Sequence, residues 1–361
     1  MREFSASQRA ILQLASVQGL TYRQKAALLS LCETSEELFA HLYSYHNEIA
    51  EIGDGIFEKI EAVRDRFDPI RLYTYMEKIG AQAVFRGEND FPASFELLEE
   101  CPEVLFYKGD IGLINEECFA VVGTRAPTRY GRDVTEQFTR EISRGGFTIV
   151  SGLARGVDAI AHRIALEENR STIAVIGCGL DVVYPAENKQ LYDDIGEKGL
   201  ILTEYYFGEA ALPYHFPERN RLISMLSQGV LVTEAGLKSG TMITVNYALD
   251  QGKDVFLVPG NVFSAASKGT NEMLHNPQCM IACSAKDVLS YYKKDVEKQE
   301  EEAVQLTASE VMVYGALQDD DKHFEELIAI TGLSMGELMA TLTKLEVLGV
   351  IKRLPGNYYG I

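Results

Sequence analysis

The stretch that decides the fold is residues 118–131, CFAVVGTRAPTRYG, together with residues 147–162, FTIVSGLARGVDAIAH. In each, a short β-branched apolar run ends at a small residue and is followed by a stretch with helical periodicity. The same alternation recurs downstream in STIAVIG, GLILTEY, GVLVTEA and DVFLVPG. Strands that alternate with helices predict an α/β fold, with a parallel sheet and helices on both faces. In such folds, ligands bind at the carboxyl edge of the sheet.

Outward from this core, the sequence divides into four segments. Residues 1–65 carry apolar residues at three- and four-residue spacing, which predicts an N-terminal helical domain. The α/β pattern occupies residues 66–292, and residues 293–306 contain the charged run KKDVEKQEEEAVQ, which we interpret as a linker. Residues 307–361 predict three helices and a hairpin-like tail, a pattern typical of a winged helix.

Composition and charge limit the class of protein. We find no run of about 18 apolar residues and no signal-peptide pattern at the start, so we expect no membrane segment. The six cysteines form no CxxC pair, so we expect no zinc site, and their scatter is typical of a cytoplasmic protein. The formal net charge of −19 argues against a general nucleic-acid coat. It leaves room for one local basic site.

Three loops at the predicted sheet edge join small residues to the start of a helix. Free backbone N–H groups and the helix dipole favour an anion there, and glycine lets the backbone approach a phosphate closely. Every α/β fold needs glycine at such turns, so one loop alone would mean little, but three on one edge favour an anion site. The loop residues suited to phosphate are Gly123, Thr124, Ser151, Gly152, Ser239, Gly240 and Thr241.

Cationic and amide side chains lie in or near these loops. They are Arg125, Asn188, Lys189, Arg219, Asn220 and Arg221. Pro217 suits the first turn of a helix, whose periodicity places Arg219 on the core side and Arg221 roughly opposite. We expect Arg219 to reach over the sheet edge. The alternatives for these arginines are a buried Arg–Glu pair and a solvated surface side chain.

Enzymatic motifs are weak in this sequence. Residues 177–182, GCGLDV, lack the third glycine of a dinucleotide fingerprint, and no GxxxxGK[ST] motif occurs. Asp158 and His162 stand four apart on a predicted helix. This pair could bind a metal or act as a base, but a capping aspartate with a packed histidine is the commoner arrangement. We therefore predict no catalytic residues, no metal and no cofactor.

Six motifs occur in a recognisable order: GTRAPTRYG, SGLARGVDAIAH, TIAVIGCGLDVVYPAEN, HFPERNRLIS, EAGLKSGTMITVNYAL and DVFLVPG. Together they resemble the DprA/Smf DNA-processing family over about residues 84–290. The resemblance implies an extended Rossmann-like fold that binds single-stranded DNA and loads the RecA recombinase during natural transformation. It also implies a homodimer without known catalysis. By motif match, all thirteen loop and basic residues named above would lie at or near the DNA site.

The two end domains and one alternative function complete the predictions. The N-terminal helices resemble the family's SAM- or HhH-like domain. In the acidic winged helix, Lys344 stands beside Glu337 and Glu346, which favours a protein contact or regulation over DNA reading. The alternative function is a nucleoside-monophosphate phosphoribohydrolase of the lysine-decarboxylase-like type. That family has a catalytic glutamate after its Gly-rich loop, whereas residues 242–244 here are MIT, although Glu234 is nearby.

Overall fold

The computed structural model describes residues 4–96, 101–294, 306–318 and 320–361. The chain forms two compact units, Met1–Val296 and Glu297–Ile361. Of the predicted linker at 293–306, residues 295–305 lie outside the described part. Within that part, none of the helices has the length and apolarity needed to span a bilayer.

Six helices open the first unit. They are α1 (Ala6–Ala15), α2 (Tyr22–Leu29), α3 (Ser35–Ala40), α4 (His46–Ile52), α5 (Ile56–Arg64) and α6 (Pro69–Ile79). Capping boxes at Ser5 and Thr21 satisfy free N–H groups at the starts of α1 and α2. Leu28, Leu38 and Ile60 belong to a small core that the first five helices share. The sixth helix packs against the sheet instead, and it lies in the segment where we predicted only the α/β pattern.

A nine-stranded sheet forms the centre of this unit. Its strands are β1 (Gln82–Phe85), β2 (Val104–Gly109), β3 (Cys118–Val122), β4 (Thr148–Ser151), β5 (Thr172–Val175), β6 (Leu200–Thr203), β7 (Gly229–Val232), β8 (Asp254–Leu257) and β9 (Cys279–Ile281). Their order is β1-β2-β6-β5-β4-β3-β7-β8-β9. Along the sheet, all neighbouring strands in the series β6-β5-β4-β3-β7-β8-β9 pair parallel. Strand β2 pairs antiparallel with β1 and with β6. The predicted parallel sheet is therefore confirmed, with an antiparallel extension at one edge.

Helices cover both faces of the sheet. They are α7 (Ala93–Glu96), α8 (Arg129–Arg144), α9 (Val157–Glu167), α10 (Lys189–Lys198), α11 (His215–Leu226), α12 (Thr241–Asp250), α13 (Lys268–Met273) and α14 (Ala285–Tyr291). On one face, Leu222 of α11 and Ala248 of α12 share a hydrophobic core with Val122 of β3. On the other face, Phe138 of α8 shares a second core with Val121. Val121 and Val122 belong to different cores because successive strand residues point to opposite faces. The carboxyl ends of the central strands therefore meet at one edge.

The second unit is a winged helix with its own core, as predicted. It contains α15 (Ala308–Ala316), β10 (Lys322–His323), α16 (Phe324–Thr331), α17 (Met335–Val347), β11 (Lys352–Leu354) and β12 (Tyr358–Gly360). The three strands pair in the order β10-β12-β11. Val313, Leu327 and Leu342 are buried between the helices. Gly332 ends α16 with φ +66°, a left-handed conformation that glycine adopts at little cost.

Candidate nucleic-acid interface

A cleft of about 790 Å³ lies at the carboxyl edge of the parallel sheet. It is bounded by the loops after β3 and β7 and by the first turn of α11. The structure brings together in its lining the following predicted residues: Gly123, Thr124, Arg125, Arg219, Asn220, Ser239, Gly240 and Thr241. They come from three stretches of sequence that the sheet places side by side.

Buried hydrogen bonds hold the loop after β3 in place. The Thr124 N–H donates to the Glu234 carbonyl oxygen at 2.8 Å. The Glu234 carboxylate accepts hydrogen bonds from the Thr128 N–H at 2.8 Å and from the Thr128 hydroxyl at 2.7 Å. Gly156 touches this loop from below with φ +74°, and a Cβ there would lie 2.4 Å from the Thr124 carbonyl oxygen. These contacts tie the loop to Glu234 and to the start of α9.

Arg125 projects from this loop as an exposed side chain. Its guanidinium carbon lies 4.8 Å from the centroid of the Phe216 ring, a cation–π contact. Phe216 in turn lies against Tyr184, with ring centroids 5.4 Å apart. Within the described residues, Arg125 has no carboxylate partner. The stack orients the guanidinium and leaves its N–H groups available to an anion.

Arg219 lies beneath the cleft, only 3% exposed. Its Nη1 donates to the Gly152 carbonyl oxygen at 2.6 Å and to the Val175 carbonyl oxygen. Burial lowers the pKa of the Arg219 guanidinium, and the nearby Asp158 carboxylate opposes that shift. Burial raises the pKa of the Asp158 carboxyl, which Arg219 opposes in turn. Arg219 therefore reaches over the sheet edge, where it bridges the ends of two strands.

Hydroxyl groups tie the residues that open α12, 239–241, to the loop after β3. The Thr241 hydroxyl donates to the Gly123 carbonyl oxygen at 2.9 Å. The Ser239 hydroxyl donates to the Thr241 hydroxyl at 2.9 Å and accepts from the Thr241 N–H at 3.2 Å. The Asn220 amide reaches the Gly240 carbonyl oxygen at 3.5 Å. These contacts join α11 and α12 to the loop that carries Arg125.

Other predicted residues support the cleft without lining it. Ser151 is buried, and its hydroxyl donates to the Val121 carbonyl oxygen at 2.7 Å. Gly152 lies under Arg219 and accepts its hydrogen bond. The Asn188 amide donates to the Leu153 carbonyl oxygen at 3.0 Å, which holds the loop after β4.

Two predicted cations lie away from the cleft. Lys189 is exposed and pairs with Asp193 along α10. Arg221 is fully buried, pairs with Glu204, and lies with its guanidinium carbon 4.1 Å from the centroid of the Tyr22 ring in α2. It is the buried Arg–Glu pair that the sequence left open as an alternative.

Sequence reasoning did not single out the aromatic wall of the cleft. Tyr184, Phe216 and Lys238 line it together with the predicted residues. All three stand inside motifs that the sequence analysis quoted. The signal that could have identified them was the presence of two aromatic rings and a lysine among the loop residues. Aromatic rings beside phosphate-type loops were the feature to weigh, because bases stack on such rings.

His162 is packed in the core, as the commoner arrangement predicts, but Asp158 does not cap α9, whose start has no side-chain cap. Asp158 accepts a hydrogen bond from the Ala154 N–H at 3.4 Å at the start of α9. His162 is buried against Thr172, with its Nδ1 2.8 Å from the threonine hydroxyl. Burial, helped by the charge of Arg219, lowers the pKa of His162 to about 3. No group of three or more His, Cys, Asp or Glu side chains suited to a metal occurs among the residues described.

The fold is Rossmann-like, and cationic side chains line the cleft at the carboxyl edge of its sheet. The chain belongs to the DprA/Smf DNA-processing family. Residues 82–293 match the family model for DNA recombination-mediator protein A, and residues 297–357 match the DprA winged helix domain. The resemblance predicted from the motifs is confirmed.

Relatives and solved structures agree with this assignment. Protein Smf of Synechocystis sp. is 31% identical over 350 residues, which cover 86% of this chain and 88% of that protein. DNA processing protein DprA of Streptococcus pneumoniae is 41% identical over 214 residues, or 56% of this chain and 75% of that protein.

The crystal structure of DprA from S. pneumoniae matches with a TM-score of 0.67 and 34% identity, covering 80% of this chain and 98% of that one. A structure of DNA processing protein A from Helicobacter pylori, which concerns its single-stranded DNA binding mode, matches with a TM-score of 0.54 and 34% identity. That match covers 59% of this chain and 95% of the other. The relatives support a DNA-processing role.

Proposed function

We propose that this chain binds single-stranded DNA in the cleft, without strong sequence preference. The observation that carries the proposal is Arg125, which is exposed, has no carboxylate partner among the described residues, and is stacked on Phe216. An arginine fork fits two phosphate oxygens, and neighbouring aromatic rings offer a face to any base. Phosphate contact with stacking is a sequence-tolerant mode of binding.

Local charge reconciles this proposal with the net charge of −19. Arg125, Arg219 and Lys238 line the cleft. Asp158 is the only carboxylate lining it among the described residues, and it is buried beside Arg219. A phosphate in the cleft would therefore meet an excess of positive charge. The acidic surface elsewhere would disfavour DNA on faces that carry no such cations.

The test is a salt titration of labelled oligo(dT) binding, followed by fluorescence anisotropy. We expect the logarithm of the affinity to fall linearly with the logarithm of salt concentration, since each phosphate contact releases counterions. A duplex of the same length should bind more weakly at every salt concentration. Equal binding of duplex and single strand would refute the single-strand proposal.

We propose further that the protein acts in the cytoplasm as a homodimer and loads RecA on the bound strand during natural transformation. The family assignment supports this role. Val262 and Phe263, in the loop after β8, are 69% and 91% exposed, which suits an interface between copies. Light scattering of Phe263→Asp should give half the mass of the parent. The parent should shorten the lag before RecA hydrolyses ATP on single-stranded DNA, and the variant should shorten that lag less. An unchanged mass would exclude this loop as the interface.

We propose binding rather than catalysis as the activity. A phosphoribohydrolase would need a carboxylate free to face a nucleotide in the cleft. Glu234 is buried, and both of its oxygens accept hydrogen bonds from Thr128. Incubation with AMP should release no adenine, and release of adenine that Glu234→Gln abolishes would favour the enzyme.

A further inference from the structure

A second cation-rich surface lies beside α6, outside the cleft. A hollow of about 940 Å³ is formed by the end of α5, by α6 and by the loop after β6. We call it the basic hollow. Its cations are Arg66, Arg71 and Lys78. Asp68 is the one carboxylate among its described lining residues, and it is engaged in capping α6 through the N–H groups of Ile70 and Arg71.

The three cations are exposed and have no ion-pair partner in the described part of the chain. A protein with 53 acidic and 34 basic residues offers carboxylates widely, so three unpaired cations around one hollow are notable. Arg71 and Lys78 stand seven residues apart on α6, so they project from the same face of the helix. The opposite face, with Leu72 and Met76, is buried in the core. Packing of α6 thus fixes the direction of these charges.

Apolar and aromatic surface accompanies the charges. Ile70 is 69% exposed and Tyr75 is 36% exposed. The Tyr75 ring meets Phe207 edge to face, with centroids 5.7 Å apart, and its hydroxyl donates to the Asp181 carboxylate at 2.8 Å. These contacts hold the tyrosine ring at the surface. Cations around a fixed aromatic ring match the two needs of a single strand, phosphate neutralisation and base stacking.

The basic hollow adjoins the cleft through two loops. Asp181, which holds Tyr75, lies three residues before Tyr184 of the cleft wall, a separation of at most about 11 Å along the chain. The loop after β6 lines the basic hollow with Phe207 and the cleft with Ala211. A strand leaving the cleft past Tyr184 therefore reaches the basic hollow within a short distance.

We propose that the basic hollow is a second contact site for single-stranded DNA, which carries a strand from the cleft onto the N-terminal helices. The proposal rests on the proposed function of the cleft. It assigns to the N-terminal helices a direct role in binding. It also requires that affinity depend on strand length, because only a longer strand can occupy both sites.

The experiment compares two labelled strands, oligo(dT) of about 6 and about 20 nucleotides, within and beyond the length that one small binding site covers. The variant is Arg66→Gln with Arg71→Gln and Lys78→Gln in the full chain. The matched control removes the same charge from exposed cations outside both sites, as Arg163→Gln with Lys198→Gln and Lys286→Gln. Thermal melting verifies that both variants fold.

For the basic-hollow variant, we expect at least tenfold weaker binding of the long strand. Its log–log salt slope should fall by about 2, since three phosphate contacts contribute about 0.7 each. The short strand should bind as it does to the parent, and the control variant should match the parent for both strands. Unchanged binding of the long strand, or an equal loss for both strands, would overturn the second site. If the parent binds neither strand, the proposed function of the cleft itself fails.

Discussion

The Arg219 guanidinium donates a hydrogen bond from Nη1 to the Gly152 carbonyl oxygen at 2.6 Å, beneath the floor of the cleft. A Cβ at position 152 would lie 2.5 Å from both terminal nitrogens of Arg219. The glycine is therefore required by the arginine, since any side chain would occupy the place of the guanidinium. A substitution at Gly152 therefore tests whether Arg219 lies where the structure places it under the cleft.

Gly152→Ala should lower both stability and DNA affinity. The added methyl group must displace Arg219, and overpacking of this kind costs about 1–3 kcal/mol of unfolding free energy. Thermal melting and oligo(dT) binding measure the two effects. Gly240→Ala is the matched control for stability, because its Cβ would meet nothing within 4 Å. If Gly152→Ala melts like the parent, Arg219 does not hold the position that we assign to it.

Arg125→Ala should weaken oligo(dT) binding by about 1–3 kcal/mol, the range for losing a charge-assisted contact. The log–log salt slope should fall by roughly the amount that one phosphate contact contributes. Melting should not change, because the side chain is exposed and stacks only on a ring. Arg155→Ala is the control, since Arg155 is exposed and pairs with Glu187 outside the cleft. Unchanged binding and unchanged melting would remove Arg125 from the site.

Phe216→Leu should weaken binding with little change in salt slope, because stacking involves no counterion release. Loss of one aromatic platform costs about 1–3 kcal/mol per stacked base. Phe216→Tyr should restore most of the affinity, since it restores the ring. A leucine variant that changes the salt slope as strongly as Arg125→Ala would mean that Phe216 acts only by holding Arg125.

Deletion of residues 307–361 should leave single-strand binding intact. The unit Met1–Val296 contains the cleft, the sheet and four of the hydrophobic clusters, while the winged helix has its own core. Anisotropy of the truncated chain should reproduce the affinity and salt slope of the full chain. A truncated chain that folds and no longer binds would assign DNA contact to the winged helix.

His162 should make the fold sensitive to acid. Its pKa is lowered from 6.5 to about 3 by burial, so the folded chain keeps it neutral while the unfolded chain takes up a proton below pH 6.5. The stability contributed by neutral His162 is therefore present above pH 6.5 and is lost as the pH falls toward 3. The melting temperature should drop less between pH 7 and pH 5 for His162→Gln than for the parent. Equal drops would mean that His162 does not contribute to acid sensitivity.

Much of the fold could be predicted from local sequence. Strand and helix periodicities of 2.0 and 3.6 residues are read within a single segment, and a strand–loop–helix repeat leaves few topologies besides a parallel sheet. The antiparallel edge formed by β1 and β2 was not predicted. Pairing between β2 and β6 joins residues almost a hundred positions apart, and no local pattern specifies such a partner.

The candidate site divides in the same way. Position in the sequence alone placed Gly123, Arg125 and Thr241 at the sheet edge, because each follows a strand or opens a helix there. Only the tertiary structure showed that Arg219 and Arg221, two residues apart on α11, are both buried, since periodicity had placed Arg219 on the core side and Arg221 roughly opposite. The first faces the strand ends, and the second is covered by Tyr22 from a helix about two hundred residues earlier. Local periodicity sets the direction of a side chain, but the environment it meets depends on long-range packing, which a single sequence does not encode in any one window.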